Sequence, residues 1–269
     1  MARLYNKTKP RKSPVMIGKG KISSITRLHQ KKFRDESGLF LVEGIKSVDD
    51  LLRSSFEVEE VLATEAWVGE HESDVPATAE LTMVTPAEME RISAWKNPQP
   101  VLAVVRIPQR DLSDIQYNQP LLMLDDLRDP GNMGTIIRTA DWFGIRQLVC
   151  SQTTVELYNP KVIQATMGSF TRVKVFYVDL ECFIDDYLQD RRVLGAFLEG
   201  TPVQRFKFQP SDVIVIGNEA NGITEAVAQK INAKILIDSP VTSADKAESL
   251  NASIAAAIMM YQYQISLNC

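Results

Sequence analysis

Leu124–Ile145 reads LDDLRDPGNMGTIIRTADWFGI. An apolar strand runs into paired acids, Pro130-Gly131-Asn132 follows as a turn, and a helix expected over Met133–Phe143 carries one basic side chain, Arg138. The proline fixes the turn, the glycine lets backbone come close to a ligand, and Asn132 is placed to cap the helix. Ile136, Ile137, Ala140 and Phe143 fall on its inward stripe. Arg138 lies off that stripe. Either it reaches a phosphate or ribose at the mouth of the turn, or it is a surface residue paired with Asp141 three positions on.

Working outward, strands are expected near Leu121–Asp125, Arg146–Cys150, Val173–Val178, Val193–Leu198, Val213–Gly217 and Lys234–Ile237. Helices are expected near Lys161–Ser169, Cys182–Leu188, Thr224–Lys230 and Ser249–Ser266. Continuous apolar strands alternating with helices imply an α/β fold whose parallel sheet is covered on both faces. Ligands of such sheets bind beyond the carboxyl ends of the strands, where both Asp125–Gly134 and Gly217–Gly222 fall. Neither stretch is a G-x-G-x-x-G, and the chain has no G-x-x-x-x-G-K-[ST], which disfavours dinucleotide enzymes and nucleoside triphosphatases. Gly217-Asn218-Glu219-Ala220-Asn221-Gly222 is either a loop facing a ligand with its backbone or an ordinary strand-to-helix turn. Glu248-Ser249-Leu250-Asn251 opens a helix rich in Ala and Ser, with Leu250, Ile254, Ala257, Ile258 and Tyr261 on one stripe and Met259 and Met260 widening the apolar surface. Such a helix suits core and an oligomer interface together.

The first hundred residues form a smaller α/β module. Ile22, Ile25 and Leu28 have helical spacing, Gly38–Gly44 reads as a short buried strand, and Ile45–Ser54 returns to helical period. Strands follow at Val58–Ala63, Leu81–Val84 and Val101–Ile107, and Thr85-Pro86-Ala87-Glu88 has the pattern of a capping box with proline at the first helical position. The expected organisation is a basic flexible arm over residues 1–20, a substrate-binding domain over 21–107, a polar linker over 108–120 and a larger domain over 121–269.

The net charge of −4 conceals a segregation: Met1–Arg34 holds 11 basic residues and no acid, leaving 19 basic against 34 acidic residues, or −15, in the remainder. A cationic arm on an acidic body suits contact with a polyanion, although a solubilising tail has the same composition. Three scattered cysteines and two histidines exclude a zinc site of C-x-x-C type, a disulfide framework and a Ser-His-Asp triad, so no metal is expected. No apolar run is long enough for a membrane span and no signal segment is evident, which points to the cytoplasm.

The three stretches together resemble the SpoU family of RNA ribose 2′-O-methyltransferases, within the SPOUT superfamily. The first motif, D-P-x-N-x-G-x-x-x-R-T-A followed by F-G, is matched from Asp129 through Gly144; G-N-E-x-x-G is matched by Gly217–Gly222; and E-S-L-N before a small-residue helix is matched by Glu248–Asn251. Thr166-Met167-Gly168-Ser169 is also similar to a family segment, and Lys31–Arg34, Phe40–Gly44 and Leu102–Arg106 resemble the substrate-binding domain of many members. One departure stands out: where the family has Ile-Pro-Met close before S-L-N, this chain has Ile237-Asp238-Ser239-Pro240 and about four additional residues before Glu248, and Ala252 follows Asn251 where valine is common.

The resemblance implies a parallel-sheet domain with a C-terminal trefoil knot, an exception to the rule against threaded chains. It further implies S-adenosylmethionine bound by Gly217, Asn218, Ile237 and Leu250, with a catalytic set of Arg138, Asn132, Glu219, Ser249 and Asn251. Lys31, Lys32 and Arg34 are the expected RNA contacts. The implied partners are RNA, ribosomal before transfer RNA, and a second copy of the chain joined through the knot region and C-terminal helix. Because a guanidinium keeps its proton below a pH of about 12, Arg138 is read as a cation for phosphate and oxyanion, with the proton acceptor left open. The competing expectation is a catalytically silent RNA-binding or ribosome-assembly factor on the same fold.

Overall fold

The computed structural model describes residues 17–239, 241 and 247–268. The basic stretch 1–16, and with it most of the expected arm, lies outside the described residues, as do 240 and 242–246 of the lengthened loop before Glu248. Two compact units divide at Arg106/Ile107.

The first unit comprises α1 (Lys19–Arg27), α2 (Lys31–Ser37), β1 (Leu39–Glu43), α3 (Ile45–Leu52), β2 (Val58–Ala63), α4 (Glu65–His71), β3 (Glu80–Met83), α5 (Pro86–Ile92) and β4 (Val101–Arg106). Its sheet has the order β1-β4-β2-β3, with β4 antiparallel to both neighbours and β2 parallel to β3. Ile22, Ile25 and Leu28 pack with Leu41, Leu62, Met89, Ile92 and Leu102 in its core. The capping box is present in full: Thr85 accepts from the Glu88 backbone N–H, and the Glu88 carboxylate accepts from that of Thr85. The periodicity reading omits α2 and α4, because seven-residue helices of composition KKFRDES and EAWVGEH carry too few apolar positions to show a 3.6-residue repeat.

The second unit contains β5 (Leu121–Leu124), α6 (Pro130–Trp142), β6 (Gln147–Ser151), α7 (Pro160–Thr166), β7 (Lys174–Val178), α8 (Leu180–Tyr187), β8 (Val193–Phe197), β9 (Thr201–Pro202), β10 (Val213–Ile216), α9 (Glu225–Ala228), β11 (Ala233–Leu236) and α10 (Ala252–Asn268). Its seven strands run in the order β7-β6-β5-β10-β8-β11-β9, every pair parallel. From β5 the chain builds outward through β6 and β7, and then returns to lay β10 against the free edge of β5, Leu121 opposite Val213 and Leu124 opposite Ile216. The strand order therefore reverses between β5 and β10. In open parallel sheets the crevice at such a reversal is where ligands settle. No described helix is long and apolar enough to cross a membrane.

One expectation about a helix needs correction. Asn132 does not cap α6: Pro130 takes the first helical position, and the side chain of Asp129 accepts from the Asn132 backbone N–H at 2.7 Å, placing Asn132 inside the first turn. The apolar stripe of α10 and its approach is divided, with Ala257 and Ile258 partly buried. Leu250, Ile254 and Tyr261 are about half exposed, while Ala252, Ala256, Met259, Met260 and Tyr263 are buried. With Ala and Ser on most remaining positions, both faces of this helix look apolar in sequence, so periodicity gives no phase. The segment 108–120 has structure of its own, a 3-10 turn at Leu112–Asp114 and a buried Ile115 in the core of the second unit.

Candidate active site at the β5–β10 reversal

Both strands end in loops that lock together. Asp125 follows β5, and its backbone N–H donates to Ile216 O at 2.9 Å. Its carboxylate, 2% exposed, accepts from the N–H and hydroxyl of Thr224 at 2.7 and 2.8 Å. Two charge-assisted bonds of this kind are each worth about 1.5–3 kcal/mol, enough to hold the entry to α9 against the end of β5. Asp126 adopts a left-handed backbone at φ 53°, with its N–H on Ser151 Oγ and its carbonyl accepting from Asn218 Nδ2 at 2.8 Å. Neither acid was singled out in sequence beyond closing the strand; an acid pair directly behind a fully apolar strand was the available signal.

The loop after β10 is closed on itself. Asn218 and Gly222 exchange both backbone hydrogen bonds at 2.9 Å, and Asn218 Oδ1 accepts from Ala220 and Asn221 N–H. A Cβ on Gly217 would stand 2.2 Å from the carbonyl carbon of Gly222, so only glycine allows the fold-back. Asn218 thus shapes this loop with its side chain and both backbone groups.

Three residues distant in sequence meet beside this loop. Asn132 Nδ2 donates to Glu219 Oε1 at 2.5 Å, and Asn251 Nδ2 donates to Asn132 Oδ1 at 2.9 Å. Asn251 Oδ1 in turn accepts from the N–H and hydroxyl of Ser253, capping α10. Every amide in this chain has its orientation fixed, because a carboxylate at one end only accepts and helix N–H groups at the other only donate. The chain links the start of α6, the loop after β10 and the start of α10.

Arg138 is exposed two turns into α6. It does not pair with Asp141, which is met by Arg146 and Arg172 instead. Ser249 and Leu250 are exposed at the approach to α10, and Ile237 is half-buried just past β11; none joins the Asn132–Glu219–Asn251 chain. Gly134, which completes the first motif, is a packing residue: a Cβ there would meet Ala165 Cβ at 2.3 Å and Val162 O at 2.8 Å, so α6 and α7 touch through it.

In the first unit Lys31 and Lys32 are exposed, pairing with Asp35 and Glu36 one turn on. Such pairs contribute little and exchange readily for phosphate. Arg34 corrects the expectation: it is 1% exposed, with Nη1 donating to Leu28 O at 2.7 Å, so it supports the α1–α2 turn from inside. A cleft of about 580 Å³ also exists over β7, lined by Arg110, Tyr158, Tyr177, Cys182 and Tyr187 among others, and it shares no residue with the motif site.

The family pattern described as SpoU rRNA Methylase matches residues 119–261, and that of an MRM3-like substrate binding domain matches residues 19–103. The chain is 30% identical to a 23S rRNA (guanosine(2553)-2′-O)-methyltransferase of Bacillus subtilis, over 90% of this chain and 94% of that one. It is 28% identical to a 23S rRNA (uridine(2479)-2′-O)-methyltransferase of Streptomyces viridochromogenes, over 87% and 85%. Among solved structures, an AdoMet-bound rRNA methyltransferase from Sinorhizobium meliloti superposes with a TM-score of 0.83 at 28% identity, covering 94% of this chain and 98% of that one. With its three motif stretches gathered at one reversal of a parallel sheet, the chain belongs to the SpoU rRNA methylase family.

Proposed function

We propose that the chain transfers a methyl group from S-adenosylmethionine to a ribose 2′-hydroxyl of RNA, ribosomal RNA first and transfer RNA second. The observation that carries this reading is the hydrogen-bonded chain Glu219–Asn132–Asn251, which gathers residues 87 and 119 positions apart at the strand-order reversal. The relatives named above act on 23S rRNA by their names, which supports the substrate class.

The residues present fit an adenosine-bearing ligand held by backbone. The fold-back at Gly217, where a Cβ would stand 2.2 Å from Gly222, brings main chain rather than side chain to the loop surface, and Leu250 offers an apolar side chain that is 46% exposed. Gly217, Leu250 and Ile237 would hold the donor, which when bound supplies an already activated methyl group. The protein's tasks are then alignment and one proton. Holding two reactants in place is worth roughly 7–11 kcal/mol. Arg138 binds the phosphate beside the target ribose and stabilises negative charge developing on its oxygen. Asn132 and Asn251, each fixed in orientation, present polar groups to the ribose. Glu219 keeps one carboxylate oxygen that Asn132 does not engage, and it is the acceptor we assign to the hydroxyl proton. Ser249, exposed beside Leu250, completes the polar rim.

The larger domain follows the family in threading α10 through its knot. A second copy packs on the α10 stripe of Leu250, Ile254, Tyr261 and Ile265, all left exposed in a single chain. The first unit and the residues before it hold RNA, Lys31 and Lys32 contributing phosphate contacts, with cytoplasm as the compartment. Incubation with tritiated S-adenosylmethionine and rRNA tests the reaction. Label should enter RNA and reappear as 2′-O-methylnucleoside, and a DNA copy of the same sequence should stay unlabelled because it lacks the hydroxyl. Binding without labelling would make the chain an RNA-binding factor on an enzyme's fold.

A further inference from the structure

Trp142 is 86% exposed, and among the described residues no large apolar side chain is more so. Burial normally stabilises an indole by several kcal/mol, so one left in water at the end of a helix calls for a partner. The charges around it indicate which. Trp142 follows Arg138 by four residues, which places the two side chains about 6 Å apart on the same face of α6. At this end of the helix Asp141 is met by both Arg146 and Arg172. Arg138, unpaired with Asp141 and one turn before Trp142, adds a third guanidinium to the two that share that one carboxylate. An aromatic face among arginines is complementary to a single-stranded polyanion that carries bases, in which phosphates meet the cations and a base meets the ring. The exposed α10 stripe of Leu250, Ile254, Tyr261 and Ile265 is by contrast free of charge.

We propose that Trp142 is a stacking platform for an unpaired nucleobase near the target ribose, with Arg138, Arg146 and Arg172 engaging the adjoining phosphates. This rests on the RNA methyltransferase reading and adds its substrate class: RNA in a single-stranded loop or bulge, since a base inside a duplex has no free face to offer. A platform of this kind is tolerant of base identity, because every base has a π-face.

The chain's three tryptophans are Trp67, Trp95 and Trp142, so a Trp67→Phe/Trp95→Phe background leaves Trp142 as the sole fluorescent reporter. An adenylate decamer should quench that fluorescence, and an abasic decamer with the same phosphates should not. In the otherwise native chain, which does not depend on that background folding, Trp142→Ala should weaken decamer binding roughly fivefold to a hundredfold, the range expected for loss of one stacked base. Trp142→Phe should keep most of the affinity. For rRNA methylation the alanine variant should raise KM far more than it lowers kcat. Equal quenching by the abasic decamer, or unchanged affinity of Trp142→Ala, would overturn the proposal. So would a halved mass of Trp142→Ala in sedimentation, which would assign the indole to an interface between copies. Quenching of the Trp142-only chain by the adenylate decamer, when the wild-type chain transfers no methyl group, would sink the enzymatic reading and leave the stacking contact standing.

Discussion

Arg138 stands on α6 without the ion pair that its spacing offers, since Asp141 is taken by Arg146 and Arg172. That leaves a permanent cation on the helix that also carries Asn132, and a permanent cation is suited to phosphate and oxyanion. Arg138→Ala should therefore lower kcat/KM for RNA by at least about a hundredfold, the usual scale for loss of one preorganised group at a developing oxyanion. The affinity for S-adenosylmethionine in calorimetry should change less than about twofold; a large loss of donor affinity would place the guanidinium in the donor pocket instead. Arg138→Lys should recover only part of the rate, because an ammonium does not reproduce the planar fork. The role of this residue could be posed from sequence and not settled, because i,i+3 spacing permits the Asp141 pair as well as the ligand role. What removed that pair was Arg172, 31 residues away, whose Nε donates to Asp141 at 2.8 Å. Arg34 failed for the related reason that a charged residue in a basic run looks solvated until tertiary structure encloses it.

At the scale of elements, legibility followed length and local chemistry. The capping box at Thr85–Glu88 is entirely local and was readable from four residues. It also carries a pH dependence. The Glu88 carboxylate is held below its ordinary value, chiefly by the backbone N–H of Thr85 and then by the Thr85 hydroxyl and the Ile17 N–H, all at 2.8 Å. A carboxyl whose folded pKa is depressed stabilises above its unfolded pKa of about 4.3, and that contribution is lost as pH falls through the folded value. Glu88→Gln should therefore melt below wild type at pH 7 by the equivalent of about 1 kcal/mol, with the gap closing towards pH 3 in thermal scans. A gap that is constant with pH would remove charge from the explanation. In α10 the opposite holds, because phase is decided by tertiary contacts: Leu250, Ile254 and Tyr261 of the stripe are left in water while Ala257 and Ile258 are partly covered. Ile254→Asp places a charge on that stripe at a position 50% exposed, so the single chain should fold with little cost. If a second copy covers the stripe, the variant should sediment at half the wild-type mass and lose methyl transfer; an unchanged mass would move the interface elsewhere.

For the whole molecule, alternation of strand and helix predicted a parallel sheet, and the sheet order placed two of the motif loops side by side. Which strand would return to the edge of β5 was not readable, because β10 and its neighbours are equally apolar and strand order is a property of long-range pairing. The charge distribution is legible without any structure. The chain holds 11 cations before residue 35 and a net −15 after it, so attraction to RNA is concentrated at one end. Removing residues 1–15 takes away five of those cations, Arg3, Lys7, Lys9, Arg11 and Lys12, and leaves Ile17 and its bond to Glu88 in place. Each cation on a phosphate of single-stranded RNA contributes about 0.7 to the slope of log K against log salt. If all five engage, the truncated chain should show a slope smaller by about 3.5, and the affinity difference should shrink steadily as salt rises. Because phosphate contacts carry no sequence information, the loss should be equal for target and unrelated RNA, so that discrimination between them survives truncation. Filter binding at several salt concentrations with both RNAs measures slope and discrimination together. A slope unaltered by truncation would show that these cations never meet the phosphates and that the segment serves solubility alone.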